Sequence, residues 1–181
     1  MPEPLVVAFV TGVTPGKWER IWRERRPPGR IELRPLPQDA ALAALRDGGV
    51  HMVLARDPGA DDDRHAIQLY RENPVVVAPK GSLVASLDVV DLVDLTDENV
   101  LPVDLEHGTG ADAVELVAAN VGVAILPQSV ARTLSRKDVV ARPLRDGADT
   151  GIALVWPIDG AHPLCETFVG IVRGRTANSS R

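Results

Sequence analysis

Within the first 57 residues, three runs of strand length, LVVAFV (5–10), RIELRPL (30–36) and VHMVLARD (50–57), are separated by two stretches with helical spacing. The first run is continuously apolar, the pattern of a strand covered on both faces rather than one that alternates between core and water. It leads into TGVTPGKW, where Thr14 stands at an N-cap position and Pro15 at the first helical position, so a helix is expected to start at once. Trp18, Ile21, Trp22 and Arg25 follow at spacings of 3, 4 and 7, which places both indoles on one face. The second helical stretch, QDAALAALRDGG, carries Asp39 in its first turn and stops at Gly48 and Gly49. Three strands joined by two helices form a βαβαβ unit, which winds right-handed into a parallel sheet.

A chain of 181 residues buries about 70% of its unfolded surface as one body or two small lobes. The net charge of -5 opposes a protein whose main task is to grip nucleic acid, which needs a strongly basic face. Cys165 has no second cysteine to pair with, so the fold stands without an internal disulfide and suits a reducing cytoplasm. It reads as a small buried apolar residue rather than a reactive thiol. No targeting segment is expected: acidic Glu3 precedes the first apolar run where a signal peptide carries Lys or Arg. The longest uncharged apolar run, 113–127, is broken by Glu115 and Asn120 and falls short of the ~20 residues of a membrane span, which leads to the expectation of a soluble, cytoplasmic protein.

Beyond residue 57 the pattern continues. GADDDRH (59–65) is an acidic turn whose carboxylates adjoin rather than converge on a metal. AIQLYRENPVVVAPKG holds two extended stretches around Asn73 and Pro74, a segment able to cross between lobes, and residues 88–104 mix acidic with aliphatic side chains. In VELVAANVGVAILPQS, Val114, Val117, Ala118 and Val121 share one helical face, Gly122 supplies a tight exit, and VAIL becomes a short strand that Pro127 ends. VVARPL and GIALVW are two further strands. PLCETFVGIVR (163–173) is a last helix with Leu164, Phe168 and Ile171 on one face.

This order of segments resembles the effector-binding domain of LysR-type transcriptional regulators. LVVAFVTG matches its opening strand, and AALRDGGVHMVLAR, LYRENPVVVAPKGSLVA and LVAANVGVAILP match three later segments in order, so the resemblance covers about residues 5–174. It implies a two-lobed α/β fold like that of the type 2 periplasmic binding proteins, with a ligand cleft between lobes. The expected division is 1–74 plus 155–176 for the first lobe, 75–154 for the second, and 177–181 as a frayed tail. Two departures stand out. The chain begins at the first strand of the sensing domain, without the family's helix-turn-helix, so direct DNA binding is not expected. Between Leu101 and Gly110 it is shorter than the family's second lobe by something like a strand and a helix.

In an open parallel sheet, ligands sit beyond the carboxyl ends of the strands. By match to the family, Thr11, Gly12 and Thr14 lie at the first such loop, Gln38 at the second and Arg56 at the end of the third strand, with Thr109 the candidate from the second lobe. Hydroxyls, free amides at a helix start and a guanidinium suit a carboxylate. Thr14 reads equally as a plain N-cap, and Arg56 as an ion-pair residue. His51, His65, His107 and His162 show no metal spacing. No nucleophile elbow, phosphate loop or dinucleotide fingerprint is present, so neither catalysis nor a cofactor is expected.

KWERIWRERRPPGR is rich in Arg, but Trp18 and Trp22 share a stripe with Ile21, which makes them core and leaves the Arg side chains as a solvated face. By resemblance this helix is also where the family pairs its sensing domains, and acidic segments such as DLVDLTDE of a partner subunit could meet it. Three readings remain open: a sensor of a small molecule, most simply a carboxylate, that regulates transcription through homodimers or heterodimers with LysR-type sensing domains; a dimerisation module with a degenerate cleft that modulates full regulators; or a regulator that binds DNA directly, favoured only by the family resemblance. No ligand or target gene is named by the sequence.

Overall fold

Why the chain alternates strand and helix is visible in what each strand covers. In the computed structural model, which describes residues 3–174, the first 57 residues form β1 (Leu5–Phe9), α1 (Gly16–Arg25), β2 (Ile31–Pro35), α2 (Gln38–Arg46) and β3 (Met52–Arg56). β1 pairs in parallel with β2 on one side and with β3 on the other, as the βαβαβ reading requires. Alternate residues of these strands serve different cores. Leu5, Val7, Met52 and Leu54 pack with Trp18, Trp22 and Phe168, whereas Val6, Ala8, Val53 and Ala55 pack with Ala41 and Leu45 of α2. Helices on both faces are why these strands show continuous apolar runs.

The sheet is completed by β8 (Thr150–Pro157) and β4 (Arg64–Glu72), in the order β2-β1-β3-β8-β4. β8 runs antiparallel to β3, with Val53 opposite Val155 and Arg56 opposite Ile152. The last helix, α6 (Cys165–Val172), buries Phe168, Val169 and Ile171, and Phe168 meets Trp22 at 6.1 Å between ring centroids. Each such fully buried large side chain contributes about 1.5–3 kcal/mol relative to exposure. The Trp22 indole N–H donates to Gly29 O at 3.1 Å, so its polar atom is satisfied within the core.

Two compact units divide the chain: Met1–Tyr70 with Ile152–Arg181, and Arg71–Gly151. The sequence-based borders lay at 74/75 and 154/155. The register of β8 against β3 begins at Ile152, which accounts for where the return to the first unit falls. The segment 177–181, expected to be frayed, lies outside the described residues.

The second unit is built on β5 (Pro74–Pro79), flanked antiparallel by β6 (Ala124–Pro127) and β7 (Val139–Pro143). Again both faces are covered. Val75, Val77 and Leu126 pack with α4 (Ala111–Ala118) and α5 (Gln128–Thr133); Val76 and Ala78 pack with Val84 of the short helix α3 (Leu83–Ser86), Val90 and Leu95. Residues 101–110 contain neither helix nor strand.

Three local expectations are corrected. Thr14 is exposed and makes no cap bond: α1 starts one residue later, at Gly16, with Pro15 in the N-cap position and its carbonyl accepting from Trp18 N and Glu19 N. Gly122 does not supply the left-handed residue after α4. That residue is Asn120, at φ 59°. Gly122 is required for a different reason, because a Cβ there would collide with the backbone carbonyl of Asn99. Val121 falls beyond this break and is exposed rather than on the buried face with Val114 and Val117.

Candidate functional site

Beyond the backbone bond from Val10 N to Leu54 O at 3.2 Å, the carboxyl ends of β1 and β3 are joined by a side-chain bond. β1 runs into Thr11 and Gly12, where the backbone turns at φ 91°, a left-handed value that favours glycine. At the end of β3, Arg56 is 93% buried by virtue of a relative exposure of 7%, and it is the one charged residue among those fully buried in the described structure. Its Nη2 donates to the carbonyl of Thr11 at 3.1 Å. Gln38, the first residue of α2, engages the backbone of the same arginine from both ends of its amide: Nε2 donates to Arg56 O at 2.8 Å, and Oε1 accepts from Arg56 N at 2.7 Å. Asp57 then turns the chain at φ 39°.

Of the residues proposed from sequence, the structure therefore brings Thr11, Gln38 and Arg56 into one hydrogen-bonded group. Gly12 shapes the turn beside Thr11. Thr14 lies in the same loop, exposed and not capping the helix. Chemically, the group offers a guanidinium on a strand end, with its orientation set by Thr11 O.

Thr109 belongs to the other unit. Its Oγ1 accepts from Ala111 N at 3.3 Å, just ahead of α4, and Gly110 follows at φ 77°. A Cβ on Gly110 would meet Leu105 and Leu126 at 3.2 and 3.3 Å and Val103 at 3.6 Å, so these side chains press against the start of the helix. The same three help line an apolar depression of about 220 Å³, with Ile125, Pro127 and Thr150. Sequence reasoning missed this depression. Val103 and Leu105 alternate with Pro102 and Asp104 in LPVDL, a period-2 signal in a stretch read only as mixed acidic and aliphatic.

A second missed feature is the contact of His51 and His162, with ring centroids 4.4 Å apart. Each Nδ1 accepts a backbone N–H, His51 from Val6 at 2.9 Å and His162 from Leu164 at 3.2 Å. Burial, then the neighbouring His162, lowers the His51 pKa below its usual value, against an opposing pull from Glu3. Cys165 is buried at the start of α6, and burial pushes its thiol up to about 11. It is thus held as the thiol, consistent with a packing role. Among the described residues no helix is long and apolar enough to cross a membrane.

Comparison with known proteins accounts for this architecture. The family model described as the LysR substrate binding domain matches residues 17–113 and 101–177. The chain superimposes on a mutant OxyR regulatory domain from Pseudomonas aeruginosa with a TM-score of 0.75 and 16% identity, covering 96% of each chain. It superimposes on the BenM effector binding domain with its effector benzoate at a TM-score of 0.77 and 19% identity, covering 94% of this chain and 90% of that one. Full-length CbnR complexed with its target DNA gives a TM-score of 0.74 at 16% identity over 94% of this chain and 70% of that one. No curated protein matches the sequence. At these identities the solved structures establish the fold, while the family match spans most of the chain: it belongs to the LysR substrate-binding domain family, the effector-binding domains of LysR-type transcription regulators.

Proposed function

We propose that this domain senses a small carboxylate and acts in transcription regulation through association with other LysR-type chains, without catalysis. The observation that carries the reading is the buried Arg56 at the carboxyl end of β3, aimed by its bond to Thr11 O toward the loop that follows β1. A buried guanidinium so placed supplies the forked donor geometry a carboxylate takes up, and the carboxyl end of a parallel sheet is where such ligands bind. In the second unit, a hydroxyl, a helix start and an apolar depression lie side by side at Thr109, Gly110 and Leu105. These are groups of the kind needed by a ligand with a polar head and an apolar body. Benzoate, the effector in the BenM structure, is such a molecule.

Regulation is exerted through partner chains rather than through DNA contact by this one, in keeping with the net charge of -5. The exposed Arg23 on α1 and Arg26 just after it offer a basic edge for homodimers or for pairing with related sensing domains. Arg23 also pairs with Glu19 at 3.6 Å on the same helix, a weak exposed contact that an acidic partner segment can displace.

The test is a thermal screen of aromatic and aliphatic carboxylates, benzoate first. A ligand at a hundred times its dissociation constant stabilises the fold by about 2.7 kcal/mol, and a domain of this size gains roughly 2–4 °C per kcal/mol. Shifts of several degrees are expected, and a screen with no hit sinks the sensor reading. Light scattering tests the association: a monomer at high concentration counts against it. If the protein does associate, reversing charge at Arg23 and Arg26 is expected to weaken the pairing most at low salt.

A further inference from the structure

The second unit contains a cavity of about 490 Å³ lined by four cationic side chains, Lys80, Arg136, Lys137 and Arg142, and by no carboxylate, in a protein whose net charge is -5. We propose that this cavity is a second ligand site, which takes a small molecule bearing a phosphate or diphosphate group.

Local structure explains why these cations gather. Lys80 directly follows β5, and its backbone N–H donates to Asp138 O at 2.9 Å, which holds the turn 136–138 beside it. Gly81 then turns at φ 95° toward α3, and Ser82 at its N-cap with Ala85 and Ser86 at its end form another part of the wall. Arg142, on the edge strand β7, reaches across to that wall. Its Nε and Nη2 donate to the carbonyl of Ala85 at 3.1 and 2.8 Å, and its Nη1 donates to Ala141 O at 3.3 Å. All three bonds go to two neutral carbonyl oxygens, so Arg142 is oriented without its charge being cancelled. Guanidinium has five N–H donors, so two remain to face a ligand.

The four cations are not equivalent. Arg136 is engaged by Asp138, with both oxygens at 3.0 Å, and by Glu115 at 3.5 Å, so it contributes shape more than charge. Lys80 and Lys137 are exposed and form no ion pair among the described residues. Ser82 Oγ accepts from Ala85 N at 3.2 Å, which leaves its hydroxyl proton to donate. Two mobile ammonium groups, a fixed guanidinium and a hydroxyl match the several oxygens and multiple charge of a phosphate better than the two oxygens of a carboxylate. The volume lies within the range of small-molecule sites. These residues come from β7, α3 and the turns beside them, in elements that do not include Thr11, Gln38, Arg56 or Thr109. The inference therefore stands apart from the carboxylate reading.

Calorimetric titration of the full chain with inorganic pyrophosphate, at an ionic strength fixed with sodium chloride, tests it. Saturable binding of one pyrophosphate per chain is expected, with orthophosphate weaker. In the double variant Lys80→Ala, Lys137→Ala, the dissociation constant is expected to rise roughly threefold to thirtyfold, the range for two exposed charge contacts. Both side chains are exposed, so the ligand-free thermal midpoint of this variant is expected to stay near that of the wild type, and Lys137→Glu alone provides a second variant if it does not. Absence of saturable heat, an unchanged dissociation constant in the variants, or binding of duplex DNA but not pyrophosphate through these lysines would each overturn the proposal. Benzoate shifts measured on the same variants keep the two readings distinguishable, because this site's failure leaves them untouched.

Discussion

The side-chain amide of Gln38 grips both backbone groups of Arg56, donating to its carbonyl and accepting from its N–H at 2.8 and 2.7 Å. In geometry it acts as one more residue of a neighbouring strand, supplied by the first residue of a helix. Eighteen residues of sequence separate the two, yet the pair fixes the start of α2 against the end of β3 and so sets where the Arg56 side chain departs.

Gln38→Ala removes both bonds and leaves a partly buried N–H and C=O without their partner. Each such group costs about 1–3 kcal/mol when water cannot replace the bond, and less where it can. A loss near the middle of that range is expected, seen as a thermal midpoint lowered by several degrees at roughly 2–4 °C per kcal/mol. A midpoint within one degree of the wild type would show that water serves these groups equally well.

The fold was legible because its strands are covered on both faces. Continuous apolar runs at Leu5–Phe9 and from Met52 to Ala55, and helical spacing at Trp18 and Trp22, are signals that tertiary packing reinforces. Boundaries were less legible where two local rules compete. The Thr14–Pro15 pair has the composition of a helix start, but Pro15 takes the cap position in helical conformation at φ -75°, ψ -2°, leaving Thr14 outside. Likewise, periodicity ran on to Val121 because the left-handed turn at Asn120 leaves no mark on hydrophobic spacing. In the candidate site, residue types could be read from sequence but their pairing could not. The bond partner of Gln38 is a backbone 18 residues away, and the four cations of the second-unit cavity are spread from Lys80 to Arg142.

Gly122 illustrates a constraint of closeness rather than of dihedral angle. Its missing Cβ makes room for the Asn99 carbonyl, and Asn99 O in turn accepts from Val123 N at 2.9 Å, tying the stretch before Leu101 to β6. Gly122→Ala must displace backbone, so its cost is expected at the upper end of the ~1–3 kcal/mol seen for overpacking. Asn120→Gly, where φ is 59°, is expected to be neutral or stabilising. Denaturant midpoints of the two variants measure the contrast, and equal effects would refute the assignment.

His51 gives the protein a defined acid sensitivity. Its pKa is lowered in the folded state, chiefly by burial and then by His162, with Glu3 opposing. The unfolded chain therefore binds a proton more readily than the native one. The stabilisation is fully present above the ordinary histidine value of about 6.5 and is lost as pH falls from there through the lower folded value. His51→Asn keeps a side-chain acceptor for Val6 N without a titrating ring. Thermal midpoints measured from pH 7.5 to 5 are expected to fall more steeply for the wild type than for this variant. Parallel profiles would mean that the ring takes up its proton equally in the folded and unfolded states.

Thr14 separates structure from recognition more cleanly than Arg56 does. Arg56→Ala empties a buried position and frees Thr11 O, so it is expected to lower the ligand-free midpoint whether or not the arginine touches a ligand. Thr14 is exposed, caps nothing and makes no side-chain hydrogen bond in the described structure. Thr14→Ala is therefore expected to change stability by no more than about 0.5 kcal/mol. If its hydroxyl donates to a carboxylate bound at the ends of β1 and β3, the variant weakens that ligand by a charge-assisted bond, about 1.5–3 kcal/mol or roughly 10- to 150-fold in dissociation constant. An unchanged midpoint with a weakened carboxylate places Thr14 at the ligand. Unchanged values of both remove it from the site and leave Thr11 and Arg56 to carry the recognition.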